Sequence, residues 1–490
     1  MPSILPILPL LLGFGGATLV LVLGRHPVRL RLLVGLLQLA ILAAVLLVLL
    51  RTLDGTVLVQ RAGGWRPPLG IAFVADRLSA LFGATIAAIA TAGVAYALAD
   101  AEAARRHRIM ALFFMLQAGM FGAVFTGDLF NLYVFVELFG VSSYGLVAYR
   151  GEAPQVEAAL KYATLSLLAS VLMLMGIASV YAQTGTLTLA ALHEASVRLA
   201  SPPLYLFSLA LVLSPLSLKA ALFPLHFWLP DAHSMAPTAV SIVLSGAVVK
   251  VGGYGVLRVL FSHDPWVGEQ VGRVLLPLAA TTAVGAACMA YAQGDLKRFL
   301  AYSTASQMGY VLAGGALGTA AGLGSAVVYS TVHAATKASL FAVAGAAEEL
   351  SGERRWDRMG GLAALSPPLA ASALVALLSL AGIPPLAGFA GKFAVFSALA
   401  ARGAWLSLFA LVAAALINLV AVGRIWLGMA GGPPGDLAGS PSRPKLVLAA
   451  TTAILVVLLG LGTGPLFEAG RAAAVQLLDG RAYRQAVLGP

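Results

Sequence analysis

Nine ionisable side chains sit inside long apolar stretches of this 490-residue sequence: Glu137, Lys161, Lys219, His226, Lys250, His333, Lys337, Lys392 and Arg424. At bilayer depth a charged residue costs at least about 2.5–3.5 kcal/mol on insertion scales, so each is a candidate for function. Glu137 is the one acid near the middle of any stretch, against five lysines, and that ratio excludes a set of structural salt bridges. Proton movement is the chemistry such a set suits. A lysine removed from water gives up its proton more readily, and a carboxylate that approaches it reverses the effect. A movable Glu137–Lys219 pair therefore reads as a proton switch. Histidines between lysines can relay, because imidazole titrates near neutrality.

The members differ in how strongly they ask for this role. Lys161 and Arg424 fall within two turns of the ends of their stretches, where a long side chain can reach the interface. Lys219 and Lys250 are mid-stretch and have no such way out. His333 and Lys337 are four residues apart, and so share one helical face. His233 is a further supporting candidate; it follows His226 by seven residues across Pro230, so the two need not share a face. A metal site is not expected, since no His/Cys/Asp cluster has ligand spacing and lysines repel cations. No phosphate loop, dinucleotide fingerprint, haem motif or nucleophile elbow stands in a supporting context, so no cofactor is expected. The single cysteine, Cys288, rules out a Cys-ligated cluster and an internal disulfide.

The elements that must position these residues are membrane helices. Hydrophobic residues make up 60% of the chain and charged residues 10%, with a mean hydropathy of +0.92. A soluble domain of this length could not hide that much apolar surface. About 20 helical residues cross a bilayer core, and fourteen candidate spans follow: 4–23, 29–50, 71–98, 109–126, 129–149, 158–182, 204–229, 236–260, 271–292, 297–315, 323–348, 368–399, 405–429 and 446–465. The stretch 187–199 is too short and too polar to cross and reads as an interfacial helix.

Net charge is +11, with basic residues scattered between the apolar runs, which points to membrane topology rather than nucleic acid. Loops on the side opposite the N-terminus hold 14 Lys/Arg (among them Arg25, Arg105 and Arg354) against 11 on the N-terminal side (among them Arg66, Arg258 and Arg484). The positive-inside rule then expects a multi-pass protein of the cell inner membrane with both termini outside the cytoplasm.

Two spans are interrupted. SPLSLKAALFPLHFWLP carries Pro215, Pro224 and Pro230, and LAGIPPLAGFAGKF carries Pro384 and Pro385. Proline frees backbone carbonyls at depth, which lipid does not tolerate unless protein or water satisfies them. Each break lies beside a lysine, Lys219 or Lys392. Paired interrupted spans are the mark of inverted-repeat transporters. The expected organisation is N-terminal helices 1–108, a first channel repeat 109–260, a second channel repeat 271–429, and a last helix with a short tail 430–490.

The stretches FNLYVFVELFGVSSYGLVAY (130–149), ALKYATLSLLAS (159–170), SLKAALFPLHFWLPDAHSMAPTAVSIVLSGAVVKVGGYGVLR (217–258), DLKRFLAYSTASQMGY (295–310), VHAATKASLF (332–341) and GIPPLAGFAGKF (382–393) resemble the antiporter-like membrane subunits. That family is shared by respiratory complex I, membrane-bound hydrogenases and Mrp-type cation/proton antiporters. Within it, 130–149 is most similar to the D-type subunits of the Mrp Na+/H+ antiporters. The resemblance implies an all-α polytopic protein of about 14 helices, with two inverted five-helix repeats and broken helices 7 and 12. It implies functional roles for Glu137, Lys219, Lys250 and Lys392, with His333 and Lys337 on the connecting helix 11 and Lys161 at a basic position of helix 6.

The expected function is proton translocation in a multisubunit Na+(cation)/H+ antiporter, an ion-transport role rather than an enzymatic one. The expected route runs from Lys219 beside Glu137 through His226, Lys250 and His333/Lys337 to Lys392. Expected partners are other membrane subunits, protons, a monovalent cation and the bilayer, with no nucleic acid. The same fold in a complex I-type NADH:quinone oxidoreductase or a membrane-bound hydrogenase is one alternative. A stand-alone solute carrier is another.

Overall fold

The computed structural model describes residues 3–24, 26–65, 67, 70–100, 106–431 and 441–489. Arg25, Arg66 and Arg105, which enter the orientation count, lie outside the described residues. The chain runs α1 (Leu8–Leu23), α2 (Pro27–Thr52), a β1–β2 hairpin (Leu58–Arg61 and Ala72–Ala75), α3 (Arg77–Ala99), α4 (His107–Phe125), α5 (Leu129–Val147), α6 (Ala153–Thr184), α7 (Leu189–Val197), α8 (Pro202–Lys219) and α9 (Trp228–Met235). It continues through α10 (Thr238–Val243), a π-helical turn (Leu244–Val248) and α11 (Val249–Leu260) as one unbroken rod. Then follow α12 (Pro265–Tyr291), α13 (Leu296–Ala316), α14 (Ala320–Ser351), α15 (Leu362–Leu365), α16 (Pro367–Ala381), α17 (Ala387–Ala401), α18 (Trp405–Ala430), α19 (Arg443–Leu461), α20 (Thr463–Asp479) and α21 (Arg481–Leu488).

Ten of these are long and apolar enough to cross a bilayer: α2, α3, α4, α5, α6, α8, the rod Thr238–Leu260, α12, α18 and α19. With α1, the more polar α13 and α14, and the α16–α17 pair, they trace the fourteen expected crossings. Burial sorts them. The apolar window of Thr238–Leu260 is 100% buried, whereas those of α18 and α19 are 28% buried. The rod is enclosed by the bundle, whereas α18 and α19 present an apolar face outward, as peripheral helices in lipid must.

The two chain ends meet on one face, here the terminal face. Ser3 N–H donates to Val59 O at 3.1 Å, and the Arg61 guanidinium donates to Val487 O at 3.2 Å. The hairpin, α7, α20 and α21 gather there. Helix starts are fixed by aspartate caps, whose carboxylates accept from otherwise unpaired first-turn N–H groups. Asp76 caps α3 through Ser79, Asp128 caps α5 through Asn131, and Asp295 caps α13 through Arg298.

Several features repeat on opposite faces. α6 and α14 each have 32 residues and each end at a left-handed glycine, Gly185 (φ 68°) and Gly352 (φ 71°). Beyond each glycine the chain makes one antiparallel bridge to a capping aspartate, Thr188 to Asp128 and Arg355 to Asp295. The broken spans are likewise paired, one between α8 and α9 and one between α16 and α17.

The structure refines several expectations. The span expected at 71–98 begins as strand β2, and its helix starts only at Arg77 after the Asp76 cap. The segment at 204–229 is interrupted, as its prolines predict: α8 runs through Pro215, ends at Lys219, and a non-helical stretch separates it from α9. Pro230 lies in the first turn of α9, where its missing N–H is tolerated. The short tail after α19 forms two helices, α20 and α21, and α20 packs against α3 and α14. Arg258, counted among loop charges, is a buried helix residue paired with Asp76 at 2.6 Å. The interfacial helix expected at 187–199 is α7.

Candidate functional site

Lys219, Lys250, Lys337 and Lys392 are 1%, 0%, 0% and 3% exposed. Each ammonium donates to hydroxyls or backbone carbonyls, and none pairs with a carboxylate among the described residues.

Lys219 ends α8, and its Nζ donates to Tyr162 Oη at 3.0 Å, Ser166 Oγ at 3.2 Å and Tyr144 Oη at 3.3 Å. It also sits 4.3 Å from the Tyr162 ring centroid and 5.0 Å from that of Tyr144, a cation–π cage. Trp228, first residue of α9, closes the cage: its ring stacks on Tyr162 at 4.0 Å, and its Nε1–H donates to Leu218 O at 2.7 Å. Gly252 of α11 lies against this turn, where a Cβ would come within 2.4 Å of Ala220 N and 2.7 Å of Lys219 C.

Glu137 does not touch Lys219. Its carboxylate accepts from Ser170 Oγ, one α6 turn beyond the Ser166 that holds the lysine. The expected direct pair is therefore replaced by a connection through one face of α6, because the two tyrosines and Ser166 occupy the ammonium's donors.

Lys250 Nζ donates to Ser245 O at 2.6 Å, a carbonyl of the π turn. Ser245 Oγ is 2.8 Å from Thr304 Oγ1, and that hydroxyl donates to Leu300 O at 2.8 Å. Lys337 Nζ donates to the same Leu300 carbonyl at 2.8 Å and to Ser303 Oγ. Lys250 and Lys337 are thus linked through Ser245, Thr304 and the Leu300 carbonyl, with the Ser245 backbone and side chain as two separate contacts.

One turn along α14 lies His333, 2% exposed, with neither ring nitrogen hydrogen-bonded to protein. The charges acting on it are the ammonium groups of Lys250, Lys337 and Lys392. Its ring stacks with Tyr329 at 6.0 Å, and Tyr329 meets Tyr310 edge-on at 5.7 Å. Lys392 Nζ lies 5.5 Å from the Tyr310 ring centroid. It donates to Leu380 O at 2.8 Å and Ala381 O at 2.9 Å, the carbonyls freed where α16 ends at the Pro384–Pro385 break. A cation at a helix C-terminus is favoured by the exposed carbonyls and the helix dipole.

The histidines divide differently from expectation. His226 lies in the non-helical stretch after Phe223–Pro224, a cis peptide. There its Nε2 is 3.5 Å from Met289 Sδ and its ring lies among Phe223, Phe227 and Tyr302. It contacts none of the lysines. α9 instead carries His233 inward: it is 0% exposed, between Trp228 (6.4 Å) and Phe341 (5.2 Å), and the charges acting on it are Lys250 and Lys337. Both His233 nitrogens also lack protein partners. An unpaired buried polar group costs about 1–3 kcal/mol, and ordered water is what normally relieves that in proteins.

Lys161 lies apart from this row. Its exposed side chain pairs with Glu157 at 2.7 Å and Asp231 at 3.3 Å. Arg424 is exposed over the Tyr291 ring at 4.5 Å. Sequence reasoning missed the hydroxyls that hold the lysines, although Tyr162, Ser166 and Ser170 recur at helical spacing on one face of α6. It also missed Asp76, read as part of an apolar run.

The description "NADH:quinone oxidoreductase/Mrp antiporter, TM" covers a family whose pattern matches residues 126–418. The D-type Na(+)/H(+) antiporter subunit of Alkalihalophilus pseudofirmus is 30% identical over 491 residues, 99% of each chain. The N-type NADH-quinone oxidoreductase subunit of Desulforudis audaxviator is 34% identical over 416 residues, 81% of this chain and 82% of that one. A chain in the solved Mrp complex from a Dietzia species superposes with a TM-score of 0.92 at 30% identity, covering 99% of both. With the matched region holding the capped α5, both broken spans and Lys219, Lys250, Lys337 and Lys392, the chain belongs to the NADH:quinone oxidoreductase/Mrp antiporter transmembrane family.

Proposed function

We propose that the chain is the proton-conducting subunit of a multisubunit Mrp-type cation/proton antiporter. The observation that carries this reading is the set of four buried lysines, Lys219, Lys250, Lys337 and Lys392, with no carboxylate partner among the described residues, held by hydroxyls and carbonyls and accompanied by two histidines whose ring nitrogens have no partner there either. A static structural charge would be neutralised by an acid. Ammonium groups held only by neutral acceptors can hand a proton on and remain solvated by the same groups. In this reading Lys219 stores a proton, His233 takes the relay place expected of His226, Lys250 and Lys337 share one between repeats, and His333 passes it to Lys392. Glu137 biases Lys219 through α6. Residues 109–260 and 271–429 each supply one half of the path.

The whole-length antiporter relative and the superposition on the Mrp complex support the antiporter reading, and the cation path then belongs to partner subunits. We place the protein in the cytoplasmic membrane with its termini outside, following the Lys/Arg distribution. The relative named for an NADH-quinone oxidoreductase favours a second reading, in which electron transfer elsewhere in a respiratory complex drives the same row.

The test is to purify the intact complex, identify its subunits by mass spectrometry, and reconstitute it. Sodium-driven pH change that disappears in Lys250→Ala supports the antiporter reading. Co-purifying iron–sulfur proteins, with no sodium-driven pH change, replace it with the second.

A further inference from the structure

A cavity of about 510 Å³ opens on the face opposite the termini, between the start of α4 and the end of α5. Arg106, His107 and Arg108 line one side, Tyr149 the other, and Leu112 and Gly145 the side toward the membrane. The Arg106 guanidinium sits over the Tyr149 ring, 5.3 Å from its centroid, a cation–π contact that holds the group in place. Among the described residues no acid lines this cavity. Asp100 and Glu152 line the neighbouring cleft, which shares Tyr149, and not this one. Arg108 is exposed, as are Arg29 and Arg31 in the first turns of α2. None of these three pairs with a carboxylate among the described residues. Gly24, just past the end of α1, lies against the first residue of α4: a Cβ there would stand 3.2 Å from His107 Cβ. The basic start of α2 is thereby brought toward the same corner.

Deeper in the membrane the walls become apolar. Leu112 of α4 rests on Gly145 of α5, where a Cβ would stand 3.3 Å from Leu112 Cδ1. Below Gly145 the same face of α5 continues with Val141, 60% exposed, and Val134, 42% exposed. A basic end thus passes into an apolar strip along one helix seam.

We propose that this cavity binds the headgroup of an anionic phospholipid, with the phosphodiester on Arg106 and Arg108 and an acyl chain along the α4–α5 seam. The site goes beyond the proton-conduction reading and does not depend on it. Guanidinium groups meet phosphate oxygens with paired N–H donors, and basic pockets between membrane helices suit phosphate headgroups. The local charge favours the same occupant. Arg106 and Arg108 stand at the positive end of the α4 dipole, whose first turn holds no acid, and an anion there offsets both. The volume falls within the range of about 300–1,000 Å³ usual for small-ligand sites. A soluble phosphate would use the arginines and leave the strip bare, whereas a phospholipid covers both.

The experiment uses the intact complex, purified in mild detergent and exposed in turn to phosphatidylglycerol and phosphatidylcholine probes that carry the same diazirine-tagged acyl chain. After illumination, labelled peptides of α4 and α5 are quantified by mass spectrometry. The phosphatidylglycerol probe is expected to label peptides holding Leu112 or Val141 about tenfold or more above the phosphatidylcholine probe, as two arginines near a phosphate predict. Unlabelled phosphatidylglycerol should compete, and inorganic phosphate should not. Arg106→Gln combined with Arg108→Gln should bring labelling down to the phosphatidylcholine level. Equal labelling by the two probes, or unchanged labelling of the assembled double variant, overturns the proposal. Competition by inorganic phosphate assigns the cavity to a soluble anion, and protection of both peptides from every probe assigns it to a partner subunit; either result overturns the lipid. Should the double variant fail to assemble, Gly145→Leu fills the seam and leaves the charges in place. Full labelling of that complex would likewise overturn the proposal.

Discussion

Lys250 Nζ donates at 2.6 Å to the carbonyl of Ser245, a residue of the π turn five positions before it in the same rod. The widened turn and the lysine answer each other. A π turn misaligns a carbonyl that an α-helix would use, and the ammonium takes it up. Because that rod is buried along its whole apolar window, the defect can exist at membrane depth without meeting lipid. Lys250→Ala removes both the charge and the carbonyl's partner. Vesicles carrying the assembled variant complex are expected to show no cation-driven pH change, read with a fluorescent pH dye.

Gly252→Ala should damage the same region from the other side. Its added methyl meets backbone atoms of Lys219 and Ala220 within 2.7 Å, and overpacking of this kind costs about 1–3 kcal/mol. Backbone cannot step aside as a side-chain tip can, so the α8 terminus moves and the Lys219 cage loosens. The expected outcome is an assembled complex with strongly reduced transport, and Gly252→Ala with wild-type rates would show that the cage tolerates displacement.

Tyr162→Phe keeps the ring that stacks on Trp228 and removes the hydroxyl 3.0 Å from Lys219 Nζ. Losing one hydrogen bond to a charged group is worth about 1.5–3 kcal/mol. Transport should fall by about tenfold or more on that basis, with assembly unchanged on a native gel. Retention of the full rate would mean that the hydroxyl has no part in holding the proton-loaded lysine.

Asp76→Asn tests stability rather than transport. Asp76 accepts from Arg258 Nη2 at 2.6 Å and caps α3, both in full burial. Removing one partner of a buried pair costs about 3–5 kcal/mol. The purified complex should lose thermal stability by several degrees (about 2–4 °C per kcal/mol in domains of 150–250 residues), and Asp76→Asn combined with Arg258→Met should recover part of it.

Lys161→Ala is expected to change little. The side chain is exposed and paired with Glu157 and Asp231, and exposed pairs of this kind contribute weakly. Transport within about twofold of wild type is the expected result for a group outside the row; complete loss would return Lys161 to it.

Composition and spacing determined the membrane class, the number of crossings, the two proline breaks and the four mid-span lysines Lys219, Lys250, Lys337 and Lys392, because each is a local property of about twenty residues against a fixed hydrocarbon thickness. The prolines also marked where carbonyls would be freed, as Lys392 on Leu380 and Ala381 shows. Only the tertiary structure decided which groups meet. His226 and His233 look equivalent in one dimension, yet one follows a non-helical turn out to Met289 while the other is carried by α9 to Lys250 and Lys337. Glu137 and Lys219 look like a pair, yet Ser166, Tyr144 and Tyr162 stand at the ammonium. Strand β2 and the Asp76–Arg258 pair were hidden because an apolar run reads alike as helix or strand and because residues 182 positions apart become neighbours only through packing. Periodicity reports which face a residue occupies; what that face touches depends on how fourteen crossings stack.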